Sequence, residues 1–468
     1  MQEASFSYRG FVITLHYSPY QARVEQRDIV HVRSFKALYQ NMDNPPNIYG
    51  KAAALLIGEI RTDKLEIFQQ NAAGDKDDVH CMFLNLFSIR ISYTIFKPKI
   101  EFLFLNATAN SDALENSQGH ANKVKVAIIG STGYGGVELI RFLLGHPQAE
   151  IVSVISASSA GLPITDGFPH LTGILVSDLD GVDPVEIAKK ADVVFTATPS
   201  GVSSKLVPQL LETGVKVIDL SGDFRIKDSS VYEAWYKHDA PDEQVLEQAV
   251  YGLCEINGDD VGGAEFISNP GCYPTATLLG LIPALSAGWI DPASIIIDAK
   301  SGVSGAGRGT SLMTHYAEIN ENLKAYKINK HQHIPEIEQN LTQIAREPVT
   351  VTFTTHLVPM TRGIMCTMYA QLNGTYTNED LTELYRQYYE GRPFVRIREA
   401  GQWPATKEVF GSNYCDIGFA ADHRTGRLTI VSVIDNVVKG AAGQAIQNLN
   451  LMMGWDETTG LKLSPVYP

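Results

Sequence analysis

The stretch Val124-Lys125-Val126-Ala127-Ile128-Ile129-Gly130-Ser131-Thr132-Gly133-Tyr134-Gly135-Gly136-Val137-Glu138-Leu139-Ile140-Arg141-Phe142-Leu143-Leu144 decides the fold. Its first six residues are almost continuously apolar and read as a buried strand, and residues 137–144 read as the helix that packs back on it. Between the two lie Gly130, Gly133 and Gly136, a G-x-x-G-x-x-G loop. Missing side chains there let a pyrophosphate approach a helix N-terminus, where free N–H groups and the helix dipole favour an anion. The spacing alone also suits an ordinary tight turn, but the strand before it and the helix after it favour a dinucleotide. Ser131, Thr132, Tyr134 and Gly135 complete the candidate loop.

Residues 151–155, 192–196 and 215–220 read as further strands and residues 203–212 as a helix between them. Such alternation predicts an α/β, doubly wound parallel sheet with its ligands at the carboxyl ends of the strands. The second strand runs into Ser156-Ala157-Ser158-Ser159-Ala160-Gly161, without the acidic residue that holds a ribose 2′-hydroxyl in NAD enzymes. Ser158 and Ser159 could instead meet a 2′-phosphate, which favours NADPH over NADH; a serine loop without a ligand is the alternative. Pro199 and Arg225 lie in loops after later strands and so face the same cleft. Arg225 is a candidate phosphate ligand or a solvated surface arginine.

Ser268-Asn269-Pro270-Gly271-Cys272-Tyr273-Pro274-Thr275-Ala276 places one cysteine where a short strand turns into an apolar helix. Pro270 and Gly271 make the turn, and the helix start favours a thiolate, the nucleophilic form. A cysteine in so apolar a setting can also be an inert buried residue. Downstream, the loop 301–308 holds Gly302, Gly305 and Gly307 and suits either close approach of a ligand or a crowded sheet corner. Lys330-His331-Gln332-His333-Ile334-Pro335-Glu336 offers two imidazoles. No cysteine or acidic pair completes a zinc site, so no metal is expected and a general acid/base is the better reading.

The 468 residues, 44% hydrophobic and 19% charged, suit a soluble chain of two or three domains. A net charge of -14 argues against nucleic acid or an anionic membrane as partner. The five cysteines, at 81, 254, 272, 366 and 415, form neither a disulfide scaffold nor a metal-ligand spacing and fit a reducing cytoplasm. No secretory signal or membrane-length apolar run is visible. Residues 1–121 carry apolar patches at 10–15, 52–57, 81–89 and 100–105 and a polar linker at 106–122, with no motif for chemistry. They read as a leader or as a small accessory domain. Residues 349–371 alternate as antiparallel strands do, and residues 435–448 form a helix of small residues suited to packing back on the first domain.

A dinucleotide loop, one activated cysteine and a downstream histidine together imply reduction at the acyl level through a thioester. GSTGYGGVEL at 130–139, DLSGDFR at 219–225, SNPGCYPTA at 268–276, SGVSGAGR at 301–308, KHQHIPEIEQ at 330–339, HLVPMTRG at 356–363 and DNVVKGAAGQAIQN at 435–448 carry a more specific message. From about residue 123 the chain resembles the N-acetyl-gamma-glutamyl-phosphate reductase family, of the semialdehyde dehydrogenase superfamily. The resemblance implies a Rossmann-type NADP-binding domain at 122–272, an α+β substrate and dimerisation domain with an antiparallel sheet at 273–435, and a helix at 436–468 returning to the first domain. It implies NADPH-dependent reductive dephosphorylation of N-acetyl-L-glutamyl 5-phosphate in arginine biosynthesis, by a cytoplasmic homo-oligomer, a dimer or tetramer. Cys272 would be the nucleophile and His331 the acid/base, with Arg225, Asn269, His333 and Glu336 at the substrate. Gly302 and Asn436 would join the glycine loop at the cofactor. Rival readings are a reductase of aspartyl phosphate or of a carrier-linked glutamyl phosphate, and a nucleotide-sensing regulator without catalysis.

Overall fold

The computed structural model describes residues 2–8, 11–19, 29–39, 60–61 and 123–467. The chain divides into two units, Met1–His120 and Ala121–Pro468. In the first, β1 (Gln2–Tyr8), β2 (Phe11–Pro19), β3 (Ile29–Tyr39) and β4 (Ile60–Arg61) form an antiparallel sheet in that order. The apolar patch at 10–15 falls mainly on β2; those at 52–57, 81–89 and 100–105 and the polar segment 106–122 lie outside the described residues.

In the second unit β5 (Val124–Ile129) leads through the glycine loop into α1 (Tyr134–Leu143), as the apolar run and its glycines require. There follow β6 (Ala149–Ile155), β7 (Val193–Thr196), α2 (Ser203–Glu212), β8 (Lys216–Asp219), β9 (Val250–Tyr251), α3 (Cys254–Val261) and β10 (Phe266–Ser268). The six strands pair in parallel in the order β6-β5-β7-β8-β10-β9. From β5 the chain goes first to one side and then to the other, so the loop after β5 opens at a topological switch point, where such sheets hold ligands. Val126, Ile128, Val193 and Phe195 on one face of this sheet and Ala127, Val194 and Val217 on the other are all wholly buried, which explains the unbroken apolar runs.

Helix α4 (Cys272–Ser286) is separated from the end of β10 by three residues, and every residue from Tyr273 to Leu285 on it is buried. It packs on the sheet that follows it in the chain. A seven-stranded sheet follows, built from β11 (Ile296–Ser301), β12 (Lys324–Tyr326), β13 (Thr352–Leu357), β14 (Ile364–Gln371), β15 (Val395–Ile397), β16 (Cys415–Asp422) and β17 (Arg427–Ile434). Its order is β12-β13-β11-β14-β17-β16-β15. The antiparallel sheet expected here is in fact mixed. β13 runs parallel to β11, because the chain between them crosses over through α5 (Ile334–Ala345), and β11 separates β13 from β14. One face is covered all the same: alternate residues Phe353, Cys366 and Met368 are buried while their neighbours stay partly open.

The chain ends in a wide π-helical turn, Val438–Ala442, and α6 (Gly443–Met452). Ala442, Ala445 and Ile446 share one apolar cluster with Val126, Ile128 and Leu139 of the first sheet and its helix. Among the described residues no helix is long and apolar enough to cross a membrane.

Candidate active site

The glycine loop has the shape its spacing asks for. Gly130 has φ +82°, and a Cβ there would lie 2.3 Å from the Ala197 carbonyl oxygen. A Cβ on Gly136 would lie 2.4 Å from the Gly130 oxygen, so α1 reaches the strand only because that side chain is missing. No side chain caps the start of α1, and a Cβ on Gly135 would meet nothing within 4 Å. First-turn N–H groups are thus left facing an open approach, which fits a pyrophosphate. Beside the loop Thr132 Oγ1 and Ser156 Oγ stand 3.5 Å apart, Ser156 and Ser158 3.5 Å, and Ser158 and Ser159 3.5 Å. Ser156, two residues before the pair singled out in the sequence, links them to the glycine loop. Pro199 is exposed in the loop after β7.

Cys272 is the first residue of α4, partly open to solvent, with Gly271 as the cap. Its thiol departs from the expected thiolate. Burial pushes its pKa up to about 11, although the Arg225 charge and the N–H groups of Tyr273 and Cys272 itself pull the other way. A helix start acts within one turn, but removing water from a whole apolar helix end costs the anion more. The resting sulfur is therefore a thiol that needs a base.

Around Gly271 the fold assembles groups from four segments. Arg225, 7% exposed, donates Nε–H to the Asn269 carbonyl at 2.8 Å and Nη2–H to the Leu220 carbonyl at 2.7 Å. It is not a solvated surface arginine. Nη1 lies 3.6 Å from Glu336 Oε2, and the facing carboxylate raises the Arg225 pKa against the effect of burial. Glu336 Oε1 accepts from the Gly271 N–H and from the Tyr251 hydroxyl, both at 2.8 Å, while Oε2 has no hydrogen bond. Burial pushes its carboxyl up, with Arg225 and the Gly271 N–H opposing. A Cβ on Gly271 would lie 2.6 Å from His333 Nε2 and 2.9 Å from Arg225 Nη1, so the glycine is what admits these groups beside the nucleophile.

The two imidazoles have different surroundings. His331 packs edge-on against Tyr273, Tyr326 and Phe353, and its Nδ1 accepts the His333 N–H at 3.2 Å, leaving Nε2 for other work. Burial, helped by Lys327, lowers its pKa to about 3, so it is neutral near pH 7. His333 has a buried Nδ1 without a partner, and burial first and His331 second hold its pKa well down. Asn269 reaches away from this cluster: its Nδ2 donates to the Ala441 carbonyl at 3.2 Å, and its Oδ1 accepts from Asn448 at 2.9 Å. Among the described residues no group of acidic, histidine and cysteine side chains could hold a metal.

The family model "Semialdehyde dehydrogenase, NAD binding domain" matches residues 125–264, and "Semialdehyde dehydrogenase, dimerisation domain" matches residues 272–436. An N-acetyl-gamma-glutamyl-phosphate reductase of Geobacillus sp. (strain WCH70) is 59% identical over 345 residues, 74% of this chain and 100% of the relative. The chain belongs to the N-acetyl-gamma-glutamyl-phosphate reductase family. Members from Geobacillus stearothermophilus and Brevibacillus brevis are 57% and 56% identical over the same length. The fold is shared more widely: aspartate semialdehyde dehydrogenase II from Vibrio cholerae, solved as a complex with ASA, has TM-score 0.56 at 18% identity, over 71% of this chain and 99% of its own. Aspartate semialdehyde dehydrogenase from Candida albicans, solved with NADP, has TM-score 0.54 at 17% identity, again over 71% of this chain and 99% of its own.

In this member of the reductase family the second glycine loop is a crowded corner at Gly302, where a Cβ would lie 2.9 Å from the Arg362 nitrogen and the Met360 oxygen. Asn436 fastens the same corner: Oδ1 accepts the Gly363 N–H at 2.7 Å, and Nδ2 donates to Ser304 Oγ at 3.0 Å. Arg362 reaches back to the first sheet's helix, donating to both oxygens of Glu138 at 2.8 and 2.9 Å. The sequence reading missed Tyr251, Glu138 and Arg362. Glu138 and Arg362 lie within motifs quoted above, but a charged or phenolic residue carries no local signal of the distant partner it meets.

Proposed function

We propose that the site built on Cys272 carries out NADPH-dependent reductive dephosphorylation of N-acetyl-L-glutamyl 5-phosphate, giving N-acetyl-L-glutamate 5-semialdehyde and phosphate, a step of arginine biosynthesis. One observation carries the reading: a partly open cysteine begins a helix directly after the dinucleotide-type sheet, with Arg225 and the His333 imidazole at its turn and His331 packed against the next residue, Tyr273. His331 takes the thiol proton, which a pKa near 11 makes necessary, and the sulfur attacks the acyl carbon. Phosphate leaves with the bonding electrons, and a thioester on Cys272 remains. Arg225, kept charged in a dry pocket, offsets charge on the phosphoryl group, and N–H groups at the start of α4 support the oxyanion. The bound dinucleotide supplies the hydride that reduces the thioester. His331 then returns its proton as the tetrahedral adduct collapses to aldehyde and free thiol.

The loop from Gly130 to Gly136 holds the pyrophosphate in this reading, with Ser158 and Ser159 at the 2′-phosphate and Pro199, Gly302 and Asn436 bordering the nicotinamide side. His333 and Glu336 shape the substrate end, and Asn269, turned away from it, fastens the turn behind. Residues 122–272 form the cofactor domain, 273–435 the substrate and oligomerisation domain and 436–468 the returning helix, in a cytoplasmic homodimer or homotetramer. Identity of 56–59% to named reductases of this substrate supports it over aspartyl phosphate or a carrier-linked acyl phosphate. The reverse assay tests it: N-acetylglutamate semialdehyde, phosphate and NADP⁺ should yield reduced nicotinamide. Reduction with aspartate semialdehyde in its place, and none with the acetylated aldehyde, would overturn the substrate.

A further inference from the structure

Buried ion pairs are costly, and one lies behind Cys272 that the proposed chemistry does not use. Lys439 and Glu255 are both 0% exposed, with Lys439 Nζ 2.6 Å from Glu255 Oε1. The same ammonium donates to Gln447 Oε1 at 2.7 Å, and Gln447 Nε2 donates to Glu255 Oε1 at 3.0 Å. Burial opposes the Glu255 charge, but Lys439 prevails and lowers its pKa; Oε2 is left without a hydrogen bond. Desolvating two charges costs several kcal/mol each in effect, and a well-packed apolar pair of similar volume is often as stable. The pair therefore asks for a reason other than stability.

Its position supplies one. Lys439 sits in the π-helical turn Val438–Ala442, closed by Gly440 N–H to the Asp435 carbonyl and Ala442 N–H to the Val437 carbonyl, both at 3.0 Å. Turns with this spacing are rare and collect at functional sites. The next residue, Gly440, presses on the nucleophile: a Cβ there would lie 2.7 Å from Cys272 Cβ and 3.1 Å from its Cα. Ala441 is fastened by Asn269, three residues before the cysteine. The turn is thus held against Cys272 from two sides, by the Asn269 amide and by the ion pair to α3.

We propose that Lys439 is a positioning residue, and that its buried pair with Glu255 holds the wide turn, through Gly440, at the depth that sets where the Cys272 sulfur lies. The inference rests on Cys272 being the nucleophile of the proposed reaction. The role is geometric, so it should show as a split between turnover and thiol accessibility. In Lys439→Met the turn relaxes away from Cys272. kcat should fall about 100-fold, the scale of a displacement of about 1 Å, with KM and NADPH affinity within about threefold of wild type. Iodoacetamide should label Cys272 about threefold faster or more, its cover being loosened, while the buried Cys366 keeps its wild-type rate.

The double variant Lys439→Met, Glu255→Leu removes both charges and guards against a single variant that fails to fold. It should melt near the wild-type temperature and still show the low kcat and the faster Cys272 labelling. Wild-type kcat in the folded double variant, or faster labelling of Cys366 together with Cys272, would reduce the pair to ordinary structural support and overturn the proposal. A wild-type chain without reductase activity would instead sink the proposed reaction, and selective labelling of Cys272 would still decide the positioning.

Discussion

Two cysteines in this chain each begin a helix and have opposite fates. Cys254 is the first residue of α3 and Cys272 the first residue of α4, so both meet a helix N-terminus. Cys254 is 0% exposed, its Sγ 3.0 Å from Asn448 Oδ1, and burial followed by the adjacent Glu255 holds its thiol well above the ordinary range. Cys272 keeps part of its surface open and has Arg225, the His333 imidazole and backbone N–H groups at hand, with His331 against the adjacent Tyr273. A helix start is therefore not what distinguishes a nucleophile. Access, a nearby cation and a base for the proton do that, and these come from elsewhere in the chain.

The strongest way to break this contrast is to remove each sulfur in turn. Cys272→Ala should lower turnover by about 10³-fold or more and leave NADPH binding intact, since the covalent route disappears with the thiol. Cys254→Ala should keep turnover. Retained reduction in the first variant, measured by nicotinamide absorbance, would end the thioester mechanism.

A second comparison separates the imidazoles. His331→Asn should cost about 10²-fold in kcat, the usual scale of general acid/base catalysis, and His333→Asn clearly less. The reverse ranking would move the acid/base role to His333, whose Nε2 is the ring atom beside Gly271.

The smallest effect tests the electrostatics. Because the Cys272 pKa is raised to about 11, the thiol is protonated below that pH, and its labelling by iodoacetamide should climb with pH towards a midpoint near 11. Glu336 contributes to that rise, so Glu336→Gln should move the midpoint down and speed labelling at pH 8 by a few-fold. A midpoint in Glu336→Gln above the wild-type one would show that the carboxyl acts mainly by holding Gly271 in place.

Much of the dinucleotide half was legible because it is written locally. The apolar run of β5, the glycines at 130, 133 and 136 and helix α1 are contiguous, and their geometry follows from missing side chains and hydrophobic period. The second sheet was legible in part: alternation showed a covered face, but not that β11 would insert between β13 and β14 and run parallel to one of them. Pairing is a choice among partners, and alternation is the same for either direction. Around the cysteine, Tyr251 and the Lys439–Glu255 pair left no trace, because a lone tyrosine or lysine in sequence does not disclose a partner 85 or 184 residues away.

Sequence alone thus settled the cofactor-type loop, the turn that carries Cys272 and the family to which these motifs lead, all properties of short contiguous segments. Only the folded chain decided that the thiol rests protonated, that Arg225 is buried against Glu336 and that Gly440 leans on the nucleophile. Desolvation and charge pairing depend on what surrounds an atom in three dimensions, and the sequence order of the surrounding groups does not encode that environment.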